Sequence, residues 1–185
     1  MAMPIPASPP SLLPRFTLGD LDAFPDDGQR YEILQGHLLV TPQAGFPHQV
    51  IAARLIAALA GYLDTSALVV GPGAVQRAPD IHLEPDLLVV PPTLPETMAW
   101  ADFTGHWLAV EIYSHGSRIY DHDYKRDAYL ALGVREVWLV DRRQRSILVS
   151  TAAVRDRVVT ETISWHPQEM SQPFELPLDR LFRGV

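Results

Sequence analysis

The sequence Glu84-Pro85-Asp86-Leu87-Leu88-Val89-Val90, followed by Trp107-Leu108-Ala109-Val110-Glu111-Ile112, decides the fold. Each stretch carries a short apolar run of the kind that forms a buried strand. Asp86 opens the first run and Glu111 lies near the end of the second. We therefore expect the two carboxylates to meet at one rim of a sheet, an arrangement that suits a divalent metal ion.

The segment after Glu111 carries Asp121 and Lys125, which lie four residues apart and share a helix face, with Tyr129 one turn further. An ordinary exposed Asp–Lys pair is the simpler interpretation, and it would stabilise the helix by only about 0.3–0.5 kcal/mol. The functional alternative is that the helix returns the Lys125 ammonium to the rim. There Lys125 would offset transition-state charge or position a water molecule, with Tyr129 or Asp121 orienting it.

Two further polar residues have open interpretations. Glu32 is either a third acid of a metal cluster or a solvent-facing residue of an edge hairpin. His48 opens a long helical pattern, and a polar residue near solvent is the simpler reading. A metal-ligand role for His48 is weak, because no second histidine follows at helical spacing.

Composition limits the protein class. The chain has 15 Lys and Arg against 22 Asp and Glu, a net charge of −7, which argues against a broadly basic surface that coats nucleic acid. It has no cysteine, which excludes disulfides, thiolate zinc sites and a cysteine nucleophile. No G-x-S-x-G elbow, P-loop or G-x-G-x-x-G fingerprint occurs.

The length of 185 residues predicts one domain over residues 15–185, preceded by a flexible, proline-rich arm over residues 1–14. The N-terminus lacks the basic and apolar regions of a secretory signal. No apolar run reaches the roughly 18 residues of a membrane helix without charge or proline. These features predict a cytoplasmic protein without membrane attachment.

Hydrophobic periodicity predicts an α/β fold with a central mixed β-sheet flanked by helices and extended by antiparallel strands. The broad apolar face of helix 47–63 would pack on the sheet or against a partner subunit. The other predicted elements are a capped short helix after Thr17, a hairpin of strands 31–34 and 37–41 turning at Gln35-Gly36, short strands at 68–70, 74–77 and 81–83, the core strands 87–90 and 107–112, a short helix or loop over 95–102, a helix over 119–132 ending at Gly133, and strands at 134–141, 146–151 and 157–164.

The order of several motifs resembles a known family. The motifs are Tyr31-Glu32-Ile33-Leu34, His48, Pro85-Asp86, Val110-Glu111-Ile112-Tyr113-Ser114, Asp121 with Lys125 and Tyr129, and Gly133-Val134-Arg135-Glu136-Val137-Trp138-Leu139-Val140-Asp141. Over about residues 15 to 165 this series is similar to the Uma-two family of bacterial endonucleases, a branch of the restriction-endonuclease-like PD-(D/E)XK superfamily.

The resemblance implies a restriction-endonuclease-like core and a metal-dependent endonuclease. Asp86 and Glu111 would hold Mg²⁺ or Mn²⁺, and Glu32 matches the extra N-terminal acid of such sites. The superfamily usually has Lys two residues after the Glu, where this chain has Tyr113, so Lys125 would take that catalytic role. The usual Ser-Pro-Ser-Thr is Ser114-His115-Gly116-Ser117 here.

The implied partners are nucleic acid, with DNA expected, and a second copy in a homodimer. Two other functions stay open at this point. One is a catalytically silent nuclease-fold protein that binds a protein partner through its acidic surface. The other is a metal-dependent hydrolase of a small phosphate ester.

Overall fold

The computed structural model describes residues 15–93, 95–97, 99–113 and 124–185. The predicted arm over residues 1–14, the turn Ser114–Ser117 and Asp121 lie outside these ranges. The elements in chain order are a 3-10 turn (Leu18–Ala23), β1 (Arg30–Leu34), β2 (His37–Thr41), α1 (Phe46–Leu63), β3 (Leu68–Val70), β4 (Val75–Arg77), β5 (Ile81–Leu83), β6 (Leu87–Val90), a second 3-10 turn (Trp100–Asp102), β7 (Leu108–Ile112), α2 (Arg126–Ala131), β8 (Glu136–Asp141), β9 (Ser146–Thr151), β10 (Arg157–Val159), β11 (Thr162–Trp165), β12 (Phe174–Pro177) and α3 (Leu178–Leu181).

The predicted hairpin forms as expected. Gln35 and Gly36 both adopt positive φ, as a two-residue turn between antiparallel strands requires, and they join β1 to β2. This hairpin belongs to a four-stranded sheet of order β2-β1-β5-β4. Residue alternation in β1 puts Arg30 and Glu32 on one face and Tyr31 and Ile33 on the other.

The central sheet is mixed and has the order β10-β9-β8-β7-β6-β3. Strands β7 and β8 are parallel, and the other neighbours are antiparallel. The antiparallel extension predicted after the core strands is therefore confirmed as β8-β9-β10. The parallel pair requires a crossover between its strands, and α2 lies in that connection.

The two faces of this sheet are covered differently. One face packs on α1, the β11–β12 ribbon and α3, and contributes Leu87, Leu108, Val110 and Trp138 to that core. The other face packs on α2 and on the sheet that contains β4 and β5, and its apolar residues are Leu88, Val90, Ala109, Val137 and Leu139. Because side chains alternate along a strand, Glu111 follows the parity of Ala109 and faces α2.

Helix α1 is the predicted long apolar helix. By length and composition it could cross a membrane, but the spacing of Ile51, Leu55, Leu59 and Leu63 forms a stripe that is fully buried against the sheet. Its Arg54 donates to the backbone carbonyl of Leu181. One face of α1 therefore belongs to the core of this fold.

One predicted strand needs correction, and two elements near the C-terminus were missed. Residues 157–164 do not form one strand: β10 pairs with β9, whereas β11 turns away and pairs with β12. The strand β12 and the short helix α3 were not predicted. Leu178 and Phe182 are buried in the core, so this C-terminal segment completes the layer around α1.

Candidate active site

Glu111 lies at the end of β7 and is almost completely buried, with 2% of its surface exposed. Its Oε1 accepts a hydrogen bond of 2.6 Å from the Tyr129 hydroxyl. The Lys125 ammonium lies 3.5 Å from the same oxygen. Tyr129 lies on α2 and Lys125 directly before it, so the α2 segment supplies both contacts to the acid.

Lys125 is also paired with Glu32, and their closest atoms, Nζ and Oε2, are 2.6 Å apart. The Glu32 side chain is completely buried, and its Oε1 accepts a 2.8 Å hydrogen bond from the backbone N–H of Glu84. A buried carboxylate is costly unless it is paired and hydrogen-bonded. Glu32 Oε1 is hydrogen-bonded and Oε2 is ion-paired, and Lys125 is held between two acids.

Asp86 has a different set of partners at the start of β6. Its Oδ1 accepts from Arg30 Nη1 at 2.9 Å, and its Oδ2 lies 2.9 Å from His48 Nε2. The same Oδ2 accepts a 2.7 Å hydrogen bond from the backbone N–H of Ile112, the residue after Glu111. The carboxylate of Asp86 thus reaches across to the end of β7.

The acids belong to one electrostatic cluster. Burial disfavours the charged form of Arg30, but the charges of Asp86, Glu111 and Glu32 outweigh burial and raise its pKa above the ordinary value. Arg30 Nη1 also donates to the Glu84 carbonyl oxygen at 3.1 Å. The guanidinium therefore acts on all three carboxylates, although its direct contact is with Asp86.

Asp86 remains ionised despite its burial. Desolvation alone would raise the pKa of its carboxyl group, but the hydrogen bond and charge of His48, together with Arg30 and the Ile112 amide, hold that pKa below its ordinary value. An ionised carboxylate at a strand end is the form that binds a metal ion or accepts a proton.

A cavity of about 160 Å³ opens beside Asp86. Arg30 and His48 lie in its wall, so the Asp86 side of the cluster faces a space that a ligand can enter. Gly71 is part of the same wall, and a Cβ on this residue would lie 2.8 Å from the Asp86 backbone oxygen. Glycine is therefore required where the β3–β4 connection approaches Asp86.

The implied Mg²⁺ or Mn²⁺ ion would require several oxygen ligands. Within the described ranges, no three His, Cys, Asp or Glu side chains are grouped so as to hold a metal. The register of β6 and β7, continued by one residue, sets Asp86 opposite Glu111. Two carboxylates with substrate phosphate and water are a common Mg²⁺ environment, so the chemistry of this pair fits the ion.

The structure brings together the residues that the sequence selected, in two contact groups. Lys125, Glu32 and Glu111 form the first, and Asp86 forms the second with partners of its own. The exposed alternatives for Glu32 and Lys125 are wrong, because both side chains are buried. His48, expected to be a polar residue near solvent, lies in the cavity wall, but its side chain is only 10% exposed and contacts Asp86.

Sequence reasoning missed Arg30 and the role of Gly71. Arg30 is two residues from Glu32, and this spacing on a strand was a usable signal that both side chains share a face. The partner of Arg30, however, comes from a strand of the other sheet. Gly71 lies in the connection between β3 and β4, and its close approach to Asp86 follows only from the tertiary structure.

Comparison with known proteins agrees with this architecture. Among solved structures, a putative nuclease belonging to DUF820 from Anabaena variabilis is similar, with a TM-score of 0.75 over 90% of this chain and 97% of that chain. The two sequences are 17% identical, so this likeness concerns the fold. No curated protein matches the chain.

A family profile matches nearly the whole described structure. The profile is that of Uma2, described as a putative restriction endonuclease, and it covers residues 18–180. This range contains both sheets and every residue of the cluster described above. The chain therefore belongs to the Uma2 family of putative restriction endonucleases.

Proposed function

We propose that this protein is a metal-dependent endonuclease that hydrolyses phosphodiester bonds at the rim formed by Asp86 and Glu111. The observation that carries the proposal is the buried Lys125, held 2.6 Å from Glu32 and 3.5 Å from Glu111 at that rim. A buried lysine next to two acids, one of them near the end of β7, suits the stabilisation of anionic charge during phosphoryl transfer. Membership of a restriction-endonuclease family supports the same reaction class.

Asp86 and Glu111 would hold Mg²⁺ or Mn²⁺, and Glu32 would be the extra acid of the site without completing a three-ligand set among the described residues. When bound, the ion supplies Lewis acidity, which polarises the phosphodiester and lowers the pKa of water. Glu32 has a further task, because its Oε2 fixes the position of the Lys125 ammonium.

The remaining residues hold the acids in place. Arg30 and His48 each contact one oxygen of Asp86, which limits rotation of its carboxylate. Tyr129 donates to Glu111 and fixes the other carboxylate. Lys125, directly before α2, would offset the charge that develops on the phosphate oxygens.

The test is cleavage of plasmid and single-stranded substrates in Mg²⁺ or Mn²⁺ by the wild type, Asp86→Asn and Glu111→Gln. These substitutions keep the shape of each side chain and remove its charge. We expect cleavage to fall by orders of magnitude in both variants while the circular dichroism spectrum stays the same. Glu175→Gln, an exposed acid on β12, is the matched control and should retain full activity. Wild-type rates in both Asp86→Asn and Glu111→Gln would refute the assignment.

A catalytically silent interaction protein is the second candidate. It is favoured by one observation, which is that both oxygens of Asp86 and both oxygens of Glu32 already have protein partners. Calorimetric titration with Mg²⁺ or Mn²⁺, with and without an oligonucleotide, separates the two candidates. Metal binding that disappears in an Asp86→Asn, Glu111→Gln double variant supports the nuclease, whereas no binding under either condition supports the silent protein.

The proposal includes three narrower expectations. The nucleic acid is expected to be DNA, the active form a homodimer, and the location the cytoplasm. A panel of DNA, RNA and small phosphate esters tests the substrate, and sedimentation analysis tests the oligomeric state.

A further inference from the structure

The wall of the 160 Å³ cavity beside Asp86 combines small apolar surfaces with side-chain amides. Ala52, Ile56 and Pro72 contribute apolar surface, and Gln43 and Gln49 contribute amide groups that both donate and accept hydrogen bonds. Flat apolar contacts combined with a few donors and acceptors are what a nucleobase requires. A phosphate group would instead favour a wall dominated by Lys and Arg, whereas Arg30 is the one such residue among those described in the wall and it is paired with Asp86.

An exposed aromatic side chain lies close in sequence to the cavity wall. Phe46 is the first residue of α1 and is 79% exposed, which is the largest exposure of any bulky apolar side chain in the described part of the chain. It lies between Ala44 and His48, both of which line the cavity. Burying this ring against a ligand would remove a large apolar surface from water.

Six bulky apolar residues are exposed in the described part of the chain. Among the described residues only two of them are aromatic, Phe46 and Tyr124; the other four are Val40, Leu68, Val154 and Val158. Tyr124 directly precedes Lys125. Phe46 lies two residues before His48. Each exposed ring is therefore close in sequence to a residue that contacts one of the acids.

The charge of the chain limits how nucleic acid is bound. Binding that depends on the phosphates of a duplex draws on many Lys and Arg side chains, and the net charge here is −7. Base stacking on aromatic rings contributes affinity without a basic surface and is available only where bases are unpaired.

We propose that the cavity beside Asp86 receives an unpaired nucleobase, that Phe46 stacks on this base or its neighbour, and that the substrate is single-stranded or locally unpaired nucleic acid. This inference rests on the proposed nuclease function and narrows its substrate class. DNA and RNA share the chemistry that the cavity would recognise, so the test includes both.

The experiment measures the binding of fluorescently labelled oligonucleotides of about 15 nucleotides, a length within the site sizes of single-strand binding folds. Fluorescence anisotropy is recorded in EDTA and in Mg²⁺ for single-stranded DNA, single-stranded RNA, duplex DNA and a single strand of abasic nucleotides. The variants are Phe46→Ala, Phe46→Leu and Phe46→Tyr. Val158→Ala, an exposed apolar residue on β10, is the matched control.

We expect wild type to bind a single strand more tightly than the duplex or the abasic strand. Phe46→Ala should weaken single-strand binding about tenfold, which is the size of one stacking contact. Phe46→Leu should resemble Phe46→Ala, and Phe46→Tyr should restore affinity, because the aromatic face is what matters. Binding should also depend only weakly on salt.

Equal affinity for the duplex and the single strand, or an unchanged affinity in Phe46→Ala, would overturn the inference, as would no binding in either buffer. These results are separable from failure of the proposed function. Duplex cleavage that requires Asp86 and ignores Phe46 would leave the nuclease standing and remove the unpaired-base site. Phe46-dependent binding without cleavage would keep the base site and remove the nuclease.

Discussion

The two halves of the acid cluster differ in their access to solvent. Around Lys125, the side chains of Glu32 and Glu111 are sealed, and none of the three is more than 3% exposed. Around Asp86, the Arg30 side chain is 22% exposed and lines a cavity. Without a ligand, the open half leaves space beside Asp86 that a ligand can enter, whereas the sealed half holds in fixed positions Lys125 and Glu111, the groups proposed to act on phosphate and metal.

The same difference predicts where stability is most sensitive. Removing one partner of a buried ion pair leaves an uncompensated charge, whereas an exposed pair is screened by water. The sealed half should therefore respond most strongly to substitution. Each of the following experiments tests this contrast, beginning with the largest expected effect.

Lys125→Met should destabilise the protein by about 3–5 kcal/mol, since it leaves Glu32 and Glu111 buried without their lysine. The free energy of unfolding in urea measures this cost. A Glu32→Gln, Lys125→Met double variant should lose less than the sum of the single losses, because one buried charge is then absent.

Arg155→Met is the surface control for Lys125. Arg155 is 64% exposed and contacts Asp127, so its loss should cost less than about 1 kcal/mol. A loss of equal size in Arg155→Met and Lys125→Met would remove the distinction between sealed and exposed pairs.

His48→Ala should cost about 1.5–3 kcal/mol of unfolding free energy, because the ionised Asp86 carboxylate loses one of its hydrogen bonds. The same urea titration measures it, and the exposed His37→Ala on β2 provides the comparison. The loss should be smaller than for Lys125→Met, since Arg30 and the Ile112 amide still satisfy the carboxylate. A larger loss for His48→Ala would reverse the ranking of the two halves.

Gly71→Ala should cost about 1–3 kcal/mol, because the added methyl group meets the Asp86 backbone oxygen and one of the chains must shift. Gly61→Ala is its opposite control. Gly61 lies within α1, and a Cβ there would meet no atom within 4 Å. Alanine is favoured over glycine in a helix by about 1 kcal/mol, so this variant should be more stable. Thermal melts of both variants should move in opposite directions.

The smallest effect concerns pH. The pKa of Asp86 is lowered in the folded protein, so its contribution to stability is complete above the unfolded pKa of about 3.9 and is lost as pH falls through the folded value. A single group changes the slope of the unfolding free energy by at most about 1.4 kcal/mol per pH unit. The difference between wild type and Asp86→Asn, measured by urea unfolding from pH 6 downwards, should shrink below that pKa. A constant difference would show that folding does not lower the pKa of Asp86.

Sequence patterns predicted most of the fold because they reflect conformational preferences within short segments of the chain. The apolar stripe of α1, the Gln35-Gly36 turn and the runs that form β6 and β7 depend on periodicity and backbone preference within a short segment. The split between β10 and β11 was missed because Thr160-Glu161 contains neither glycine nor proline. That break is imposed by the pairing of β11 with β12, a strand that the sequence pattern did not predict.

The site was predictable to the extent that strand order brings acids to a shared rim. Asp86 and Glu111 each lie at the end of a neighbouring strand, so their proximity followed from the two apolar runs. The pairing of Arg30 with Asp86 joins two different sheets, and no local pattern contains it. The same is true of His48, because a helix start favours polar residues whether or not they have a buried partner.

The scattered origin of the cluster has a consequence for synthesis. Arg30 meets Asp86 across 56 positions of the chain, and Tyr129 meets Glu111 across 18. Strand β7 also requires β8, its parallel neighbour, which is made after α2. A nascent chain that ends before Lys125 contains Glu32, Asp86 and Glu111 but lacks the cation that pairs with two of them. Assembly of the site is therefore tied to a late stage of translation and folding.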